Sequence, residues 1–205
     1  MSSQKTFPIF LREPEELKKL NQWLFDNIQL YVRGRTLEIG SGAGNISSLF
    51  VDRSIPIYLS DPIKANRDNL RATYENNSIV HGVLNIDLRK ENFYEFYSQI
   101  LETFTTVIAL NVTENNYHES KSLDKLRHLL RADGHLIIVL PSFTATFYGV
   151  DISLQDWRNY NRKPLNVSLR HFEMLKTRYF NISPQIESDS SYKSGYSVLV
   201  AARKL

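Results

Sequence analysis

One carboxylate and three glycines stand close together in the first quarter of the chain, and their spacing favours ligand binding. Glu38 lies in an apolar segment, Thr36–Ile39, that reads as a short buried strand, and Gly40, Gly42 and Gly44 follow it directly. A strand-to-helix turn with three glycines lets a ligand lie against bare backbone, because no Cβ stands in the way. We therefore expect a ligand loop in which Glu38 reaches a cationic group, and a tight turn without a ligand is the alternative.

A second carboxylate comes where the next apolar run ends. Asp61 follows residues 55–60 and lies about 20 positions after Gly40. In a βαβ unit this distance brings the tip of the second strand beside the first. A carboxylate there can accept hydrogen bonds from both ribose hydroxyls of an adenosine-type ligand. The spacing suits nicotinamide dinucleotides and S-adenosylmethionine (SAM) equally, so the glycine pattern has to separate them.

Strand and helix patterns alternate along the chain, which would bring the two carboxylates to one edge of a sheet. An apolar run such as 106–110 is expected for a strand that is buried on both faces, and alternation indicates a parallel sheet with right-handed crossovers. The predicted strands are 36–39, 57–60, 79–86, 106–110 and 135–140, and the predicted helices are 14–31, 45–52, 64–74, 91–103, 117–131 and 167–179.

The last third of the chain departs from this rhythm. Residues 142–164 show no clear period. Two closing segments, 182–187 and 196–202, are joined by the polar, glycine-containing stretch 188–195. This pattern predicts a hairpin, which makes the last strand antiparallel to its neighbour.

Composition excludes several classes of protein. The chain has 205 residues, of which 42% are hydrophobic and 23% are charged, as in a globular domain. It has no apolar stretch of about 18 residues, so we expect no membrane span. Residues 1–5 are polar and no apolar signal region follows them, so we expect a cytoplasmic protein. Cysteine is absent, which excludes disulfides, thiolate metal sites and a cysteine nucleophile, and we expect no bound metal.

Charge gives weaker information about partners. The formal net charge of +3 is too mild to favour a nucleic-acid partner. Positive residues gather late in the chain, and they either cover solvated faces or form a site for a phosphate-bearing or otherwise anionic substrate. They are Arg158, Arg162, Lys163, Arg170, Lys176 and Arg178.

The glycine-rich loop resembles the cofactor loop of the class I SAM-dependent methyltransferases. Residues 38–44 read E-x-G-x-G-x-G, whereas the dinucleotide fingerprint G-x-G-x-x-G would need a third glycine where this chain has Asn45. Residues 111–115, N-V-T-E-N, are similar to the family's N-V-L-E-H segment, and residues 129–136 are similar to its L-L-K-P-G-G-x-L turn. Residues 148–160 resemble a Y-G-x-x-D … H-Y-R-R-Y stretch of a bacterial small-molecule branch, some of whose members are linked to glycosyltransferases.

The resemblance covers roughly residues 34–202 and implies one methyltransferase domain over residues 1–205. The implied fold is α/β, a Rossmann-like three-layer sandwich with a seven-stranded, mostly parallel sheet whose last strand is antiparallel. Residues 1–33 would form an N-terminal helical segment, and residues 142–164 a substrate-side insertion. Two departures fall on the substrate side: Asn115 replaces the usual His, and residues 155–156 replace a Gly-His pair.

The loop residues take their implied roles from this resemblance. Glu38 and the backbone of Gly40, Ser41, Gly42 and Gly44 would hold the methionine part of SAM.

The other implied contacts lie after later strands. Asp61 would bind the ribose, and Pro62 would lie beside the adenine. Asp87 would take the adenine amino group with the Leu88 backbone nearby, although aspartate also favours helix N-caps and turns. The backbone at Asn111 would accept the ammonium group of the cofactor.

Methyl transfer from SAM is an in-line displacement that leaves S-adenosylhomocysteine. A nitrogen acceptor needs no base, whereas an oxygen or carbon acceptor needs its proton removed. The candidate bases are His118, Tyr148, Asp151 and Tyr160, each of which also fits a surface or packing role, and His171 on the predicted late helix has the same standing. The sequence lacks an N/D-P-P-Y/F segment after strand four, which argues against exocyclic amino methylation of adenine or glutamine.

The resemblance thus implies a SAM-dependent methyltransferase. We expect it to act on the oxygen or nitrogen of a small-molecule or sugar/lipid-type acceptor. Anionic and sugar-linked acceptors are both compatible with this expectation. A SAM-binding domain without transferase activity is the first alternative, motivated by the two substrate-side departures. A nicotinamide-dependent oxidoreductase is the second.

Overall fold

The computed structural model describes residues 14–110, 119–141, 169–180 and 197–205. These residues form one seven-stranded sheet with helices on both faces. The helices are α1 (Pro14–Ile28), α2 (Ser47–Asp52), α3 (Lys64–Tyr74), α4 (Phe93–Phe96) and α5 (Glu119–Leu129), with short 3-10 turns at Gln29–Tyr31 and Ser98–Ile100. The strands are β1 (Thr36–Ile39), β2 (Ile57–Ser60), β3 (Val80–Leu84), β4 (Phe104–Ala109), β5 (Leu130–Pro141), β6 (Phe172–Phe180) and β7 (Ser197–Lys204).

The order of the strands across the sheet is β3-β2-β1-β4-β5-β7-β6. Neighbours from β3 to β5 pair in parallel, and β7 is antiparallel to both β5 and β6. From β1 the chain adds β2 and β3 on one side of the sheet and then returns to add β4 on the other side. The order of the strands therefore reverses between β1 and β4. In open α/β sheets, ligands bind outside the carboxyl ends of the strands at such a switch point.

Alternate residues of the central strands pack into two hydrophobic clusters, one on each face of the sheet. On β4, Val107 and Ala109 belong to one cluster, and Ile108 belongs to the other. α5 packs on the first face, whereas α1, α2 and α3 pack on the second. The predicted three-layer α/β sandwich with an antiparallel last strand is therefore confirmed. The assignment of the whole chain to a single domain stays a prediction.

The helix predicted at residues 167–179 is wrong. Residues 172–180 form β6, and His171 lies in an exposed turn before that strand. The pairing of β6 with β7 shifts register between Met174 and Lys176. At this irregularity two apolar residues are adjacent in the sequence. The strict apolar-polar alternation of a strand is therefore lost, and the apolar pattern resembles that of a helix.

The hairpin prediction is confirmed for the last strand and its antiparallel pairing. The predicted strand 196–202 corresponds to β7, and its antiparallel partner is β6, whereas residues 182–187 lie outside the described residues. The helix predicted at 91–103 is also too long. It consists of α4 and a 3-10 turn, and Glu102, at φ +56°, turns the chain into β4.

Candidate functional site

The loop between β1 and α2 adopts the conformation for which its glycines are required. Gly40, Gly42 and Gly44 have φ values of +74°, +56° and +83°, in the left-handed region that side chains with a Cβ rarely adopt. The amide of Ser41 donates to the carbonyl oxygen of Ser60 over 2.8 Å, and the Ser41 hydroxyl accepts from the Ser60 amide over 3.2 Å. The loop is thus held against the carboxyl end of β2.

Two of these glycines have different surroundings. A Cβ on Gly42 would meet no atom within 4 Å, so this backbone faces open space. A Cβ on Gly44 would lie 3.1 Å from Leu70 and 3.4 Å from the Tyr74 hydroxyl, both on α3. Gly42 therefore leaves room for a ligand at the backbone, and Gly44 lets the loop pack closely against a helix.

Glu38 is a buried carboxylate at the centre of this edge of the sheet. It is only 5% exposed, and the hydroxyl of Ser47, at the start of α2, donates to its Oε2 over 2.5 Å. Burial raises the pKa of Glu38, and hydrogen bonds from Ser47 and Ser41 oppose this with a smaller effect. In the part of the chain that the structure describes, Glu38 has no cationic partner. A positively charged ligand would supply one.

The Asp61 carboxylate accepts hydrogen bonds from the glycine loop and from the turn that follows β2. It is 4% exposed; its Oδ2 accepts from the amide of Gly42 over 3.0 Å, and its Oδ1 accepts from the amide of Ile63 over 2.8 Å. A carboxylate oxygen can accept more than one hydrogen bond, so Asp61 keeps acceptor capacity for ribose hydroxyls. Its predicted cofactor contact stays a prediction, and its shaping of the glycine loop is a second role that the sequence analysis missed.

Arg67, on α3, forms hydrogen bonds with the segments that follow β2 and β3. Its Nη1 donates to the carbonyl oxygens of Asp61 and Pro62 over 2.9 and 2.8 Å, and to Oδ1 of Asn85 over 3.2 Å. One guanidinium thereby ties the segment after β2 to the segment after β3. The sequence analysis did not single out Arg67, because these partners are recognisable only once the strands are side by side.

Asp87 occupies a turn after β3. Its carboxylate forms two hydrogen bonds of 2.9 Å with the Arg89 guanidinium, and its Oδ1 also accepts from the Arg89 amide. The Arg89 hydrogen bond lowers the pKa of Asp87. The Tyr97 hydroxyl accepts from the Asp87 amide over 2.9 Å. The turn role considered from the sequence is thus present, and the adenine contact stays a prediction.

Lys125, on α5, fixes the residues that follow Asp87. Its ammonium donates to the carbonyl oxygens of Leu88 and Lys90 over 2.6 and 2.8 Å, and the side chain is only 8% exposed. Because a charged donor satisfies both carbonyls, this stretch has a defined shape beside the predicted adenine position. No local motif in the sequence pointed to Lys125.

Apart from Asn111, the structure places the predicted cofactor residues at the carboxyl ends of β1, β2 and β3 and in the turns that follow them. Pro62 is exposed next to the buried Asp61, and Leu88 is buried. Asn111 and the candidate bases His118, Tyr148, Asp151 and Tyr160 lie outside the described residues. Among the described residues, no group of three or more His, Asp or Glu could hold a metal ion. No helix in the described ranges has the length and apolar character needed to cross a membrane.

Comparisons with known proteins agree with this geometry. No family model matches the chain. An uncharacterized methyltransferase of Staphylococcus carnosus (strain TM300) is 27% identical over 120 residues, which are 58% of this chain and 53% of the relative. The chain thus matches about half the length of that curated relative.

Solved structures extend the likeness to the fold. The N-methyltransferase NodS of Bradyrhizobium japonicum WM9 matches with a TM-score of 0.59 at 12% identity, over 94% of this chain and 98% of its own. A SAM-dependent methyltransferase of Methanosarcina mazei matches with a TM-score of 0.57 at 14% identity, over 87% and 97%. The cyclase SpnF matches with a TM-score of 0.61 at 12% identity, over 91% and 81%. The predicted class I SAM-dependent methyltransferase fold is confirmed, and the bacterial small-molecule branch stays a prediction.

Proposed function

We propose that this protein binds SAM at the carboxyl edge of its sheet and transfers the methyl group to a small-molecule acceptor, leaving S-adenosylhomocysteine. The observation that carries the proposal is Glu38, a buried carboxylate with hydroxyl partners and, among the described residues, no cationic partner, next to the open backbone of Gly42. A buried charge without an opposite charge is unfavourable, so the site is suited to a cationic ligand.

The chemistry of the donor set fits SAM from one end to the other. The Glu38 carboxylate would accept the ammonium group of the methionine part, and the amides of the glycine loop would lie along it. Asp61 would accept the ribose hydroxyls with its remaining lone pairs. The segment that Arg67 and Lys125 hold in place would border the adenine. When bound, SAM supplies a methyl group on a positively charged sulfur.

The remaining work of the protein is alignment and exclusion of water. Holding the acceptor atom in line with the methyl group contributes about 7 kcal/mol or more to lowering the barrier. We expect residues 142–164 to lie on the acceptor side. The acceptor would be a small molecule or a sugar/lipid-type compound that reacts through oxygen or nitrogen. If it reacts through oxygen, His118, Tyr148, Asp151 and Tyr160 are the proposed candidates for the base.

A SAM-binding domain without transferase activity is the second candidate. The cyclase SpnF shares the fold, which illustrates that the fold alone does not determine the reaction. The substitutions at Asn115 and at residues 155–156 lie in the segments that would contact the acceptor.

Calorimetric titration with SAM, S-adenosylhomocysteine, NAD and NADH tests the cofactor. We expect micromolar binding of the two adenosyl sulfur ligands alone, and selective binding of NAD or NADH would overturn the proposal. An acceptor screen that detects released S-adenosylhomocysteine then separates the two candidates. SAM binding without turnover of any acceptor in a broad panel favours the domain without transferase activity.

A further inference from the structure

A cavity lies at the opposite edge of the sheet from the glycine loop. It has a volume of about 550 Å³ and opens at the amino ends of β1 and β2, with a contribution from β3. The four residues of β1 separate it from the glycine loop by about 13 Å, at ~3.3 Å per residue. Its volume lies within the range of about 300–1,000 Å³ that is typical of small-molecule sites.

The wall of this cavity combines apolar side chains with basic residues. Apolar contact surface comes from Val32, Ile55, Pro56 and Tyr58. The other lining residues include Arg33, Arg35, Thr36 and His81, and within the part of the chain that the structure describes no Asp or Glu lines the cavity.

Arg35 is held in place without using its hydrogen-bonding capacity on an acid. Its guanidinium carbon lies 4.8 Å from the ring centre of Tyr58 and 5.0 Å from that of Phe104, so it stacks against two aromatic rings. Within residues 14–110, 119–141, 169–180 and 197–205, it forms no ion pair. By contrast, four other arginines of these ranges pair with carboxylates: Arg71, Arg89, Arg127 and Arg203.

The backbone of residues 33–35 is anchored firmly. The Arg33 amide donates to the Thr106 hydroxyl over 3.0 Å, the same hydroxyl donates to the Arg33 carbonyl oxygen over 2.8 Å, and the Thr105 amide donates to the Arg35 carbonyl oxygen over 2.8 Å. Gly34, at φ +58°, makes the turn between the two arginines. The Arg33 side chain donates to a backbone carbonyl, that of Asp133, and it also has no acidic partner among the described residues. A rigid turn thus carries Arg35 beside the cavity, whereas the Arg33 guanidinium is engaged by the Asp133 carbonyl.

We propose that this cavity is a second binding site, separate from the cofactor loop, for an amphipathic anion. Its ligand carries a phosphate or carboxylate on an apolar body. The planar guanidinium group of Arg35 can donate paired hydrogen bonds to two oxygen atoms of either anion, and the apolar wall covers the body of the ligand. SAM itself does not suit the cavity, because its sulfonium and ammonium groups would face the Arg35 guanidinium. The inference does not depend on the proposed methyl transfer.

Calorimetry with a set of related probes tests this site. The probes are decyl phosphate, decanoate, decanol, inorganic phosphate and adenosine monophosphate, titrated with and without saturating S-adenosylhomocysteine. We expect decyl phosphate or decanoate to bind at least tenfold more tightly than decanol and inorganic phosphate, with an affinity that S-adenosylhomocysteine leaves unchanged. Equal binding of decanol, tighter binding of adenosine monophosphate, or competition by S-adenosylhomocysteine would each overturn the assignment.

Variants connect the binding to Arg35 and His81. Arg35→Gln should weaken decyl phosphate binding about tenfold or more, as expected for lost hydrogen bonds between charged groups. Arg53→Gln is the matched control, because Arg53 also stacks on a ring, that of Phe25 at 4.4 Å, but lies outside the cavity. If Arg35→Gln does not fold, the exposed His81→Glu places a carboxylate in the cavity and should abolish binding of the anion. Unchanged affinity in either folded cavity variant refutes the proposal.

Discussion

Replacing Glu38 by Gln separates the charge of this side chain from its place in the core. The substitution keeps the volume and an oxygen that can accept from Ser47, but it removes a buried negative charge that has no cationic partner among the described residues. We expect two opposite effects: Glu38→Gln should raise the free energy of unfolding near neutral pH and should weaken binding of SAM.

The size of both effects follows from burial. With 5% exposure, Glu38 is weakly screened by solvent, and relief of an incompletely satisfied buried charge corresponds to about 1–3 kcal/mol. Loss of a hydrogen bond between charged groups corresponds to about 1.5–3 kcal/mol of SAM binding, or roughly a 10- to 150-fold rise in Kd. The variant should therefore be the more stable protein and the poorer binder.

The pH dependence has a defined sign. Because burial raises the pKa of Glu38, the folded state holds this proton more tightly than the unfolded chain. The stabilisation that comes from this tighter proton binding is fully present when the pH is below 4.5, the ordinary pKa of the carboxyl group. It is lost as the pH rises through the raised pKa of the folded state. The stability difference between Glu38→Gln and wild type should therefore be small at about pH 4.5 and should increase toward pH 8.

Chemical denaturation across this pH range and calorimetry with SAM provide the two measurements. Glu75→Gln, at an exposed position, is the matched control and should change neither quantity. Titrations in buffers of different ionisation enthalpy should also show proton release when SAM binds to wild type at mildly acid pH. A folded Glu38→Gln variant that is less stable than wild type at about pH 8 and binds SAM equally well would refute the reasoning.

Four further changes test other parts of the structure. Asp61→Ala should weaken SAM binding by about 1.5–3 kcal/mol in calorimetry, and unchanged affinity in a variant with a native circular dichroism spectrum would contradict its ribose role. Lys125→Met should lower the free energy of unfolding in urea by about 1–3 kcal/mol, since two loop carbonyls lose their donor. Gly44→Ala should destabilise by about 1–3 kcal/mol because of its positive φ and its contact with α3, whereas Gly82→Ala, with its nearest contact at 3.6 Å, should be nearly neutral. Burial lowers the pKa of His135, so wild type should lose stability as the pH falls from 6.5 through that lowered pKa, and His135→Gln should remove this part of the Tm profile.

The central strands and the glycine loop were predictable because their signals are local. Short apolar runs flanked by turn residues identified β1 and β2 to the residue. The alternation of strands and helices then predicted the parallel sheet, since right-handed crossovers leave few other arrangements. β6 was missed for the opposite reason. The register shift belongs to the pairing of β6 with β7, so it cannot be predicted from the residues of β6 alone.

The two basic side chains that hold the loops around the candidate site, Arg67 and Lys125, could not be predicted from the sequence either. Arg67 is recognisable as a clamp only when the ends of β2 and β3 lie side by side, and Lys125 contacts a carbonyl 37 residues earlier in the chain. Such contacts bring distant segments together, so no spacing rule within one element predicts them.

By itself, the sequence determined the strand-turn-helix unit, its glycines and the identity of the two carboxylates, because these depend on neighbouring residues and on backbone conformations that only glycine adopts freely. Only the tertiary structure decided how those carboxylates behave. The burial that raises the pKa of Glu38 comes from the elements packed around it, and the hydrogen bond that Asp61 accepts from the Gly42 amide likewise joins segments that are distant in the sequence. Desolvation and hydrogen bonding depend on what surrounds a group in space, and those surroundings exist only once the sheet has assembled.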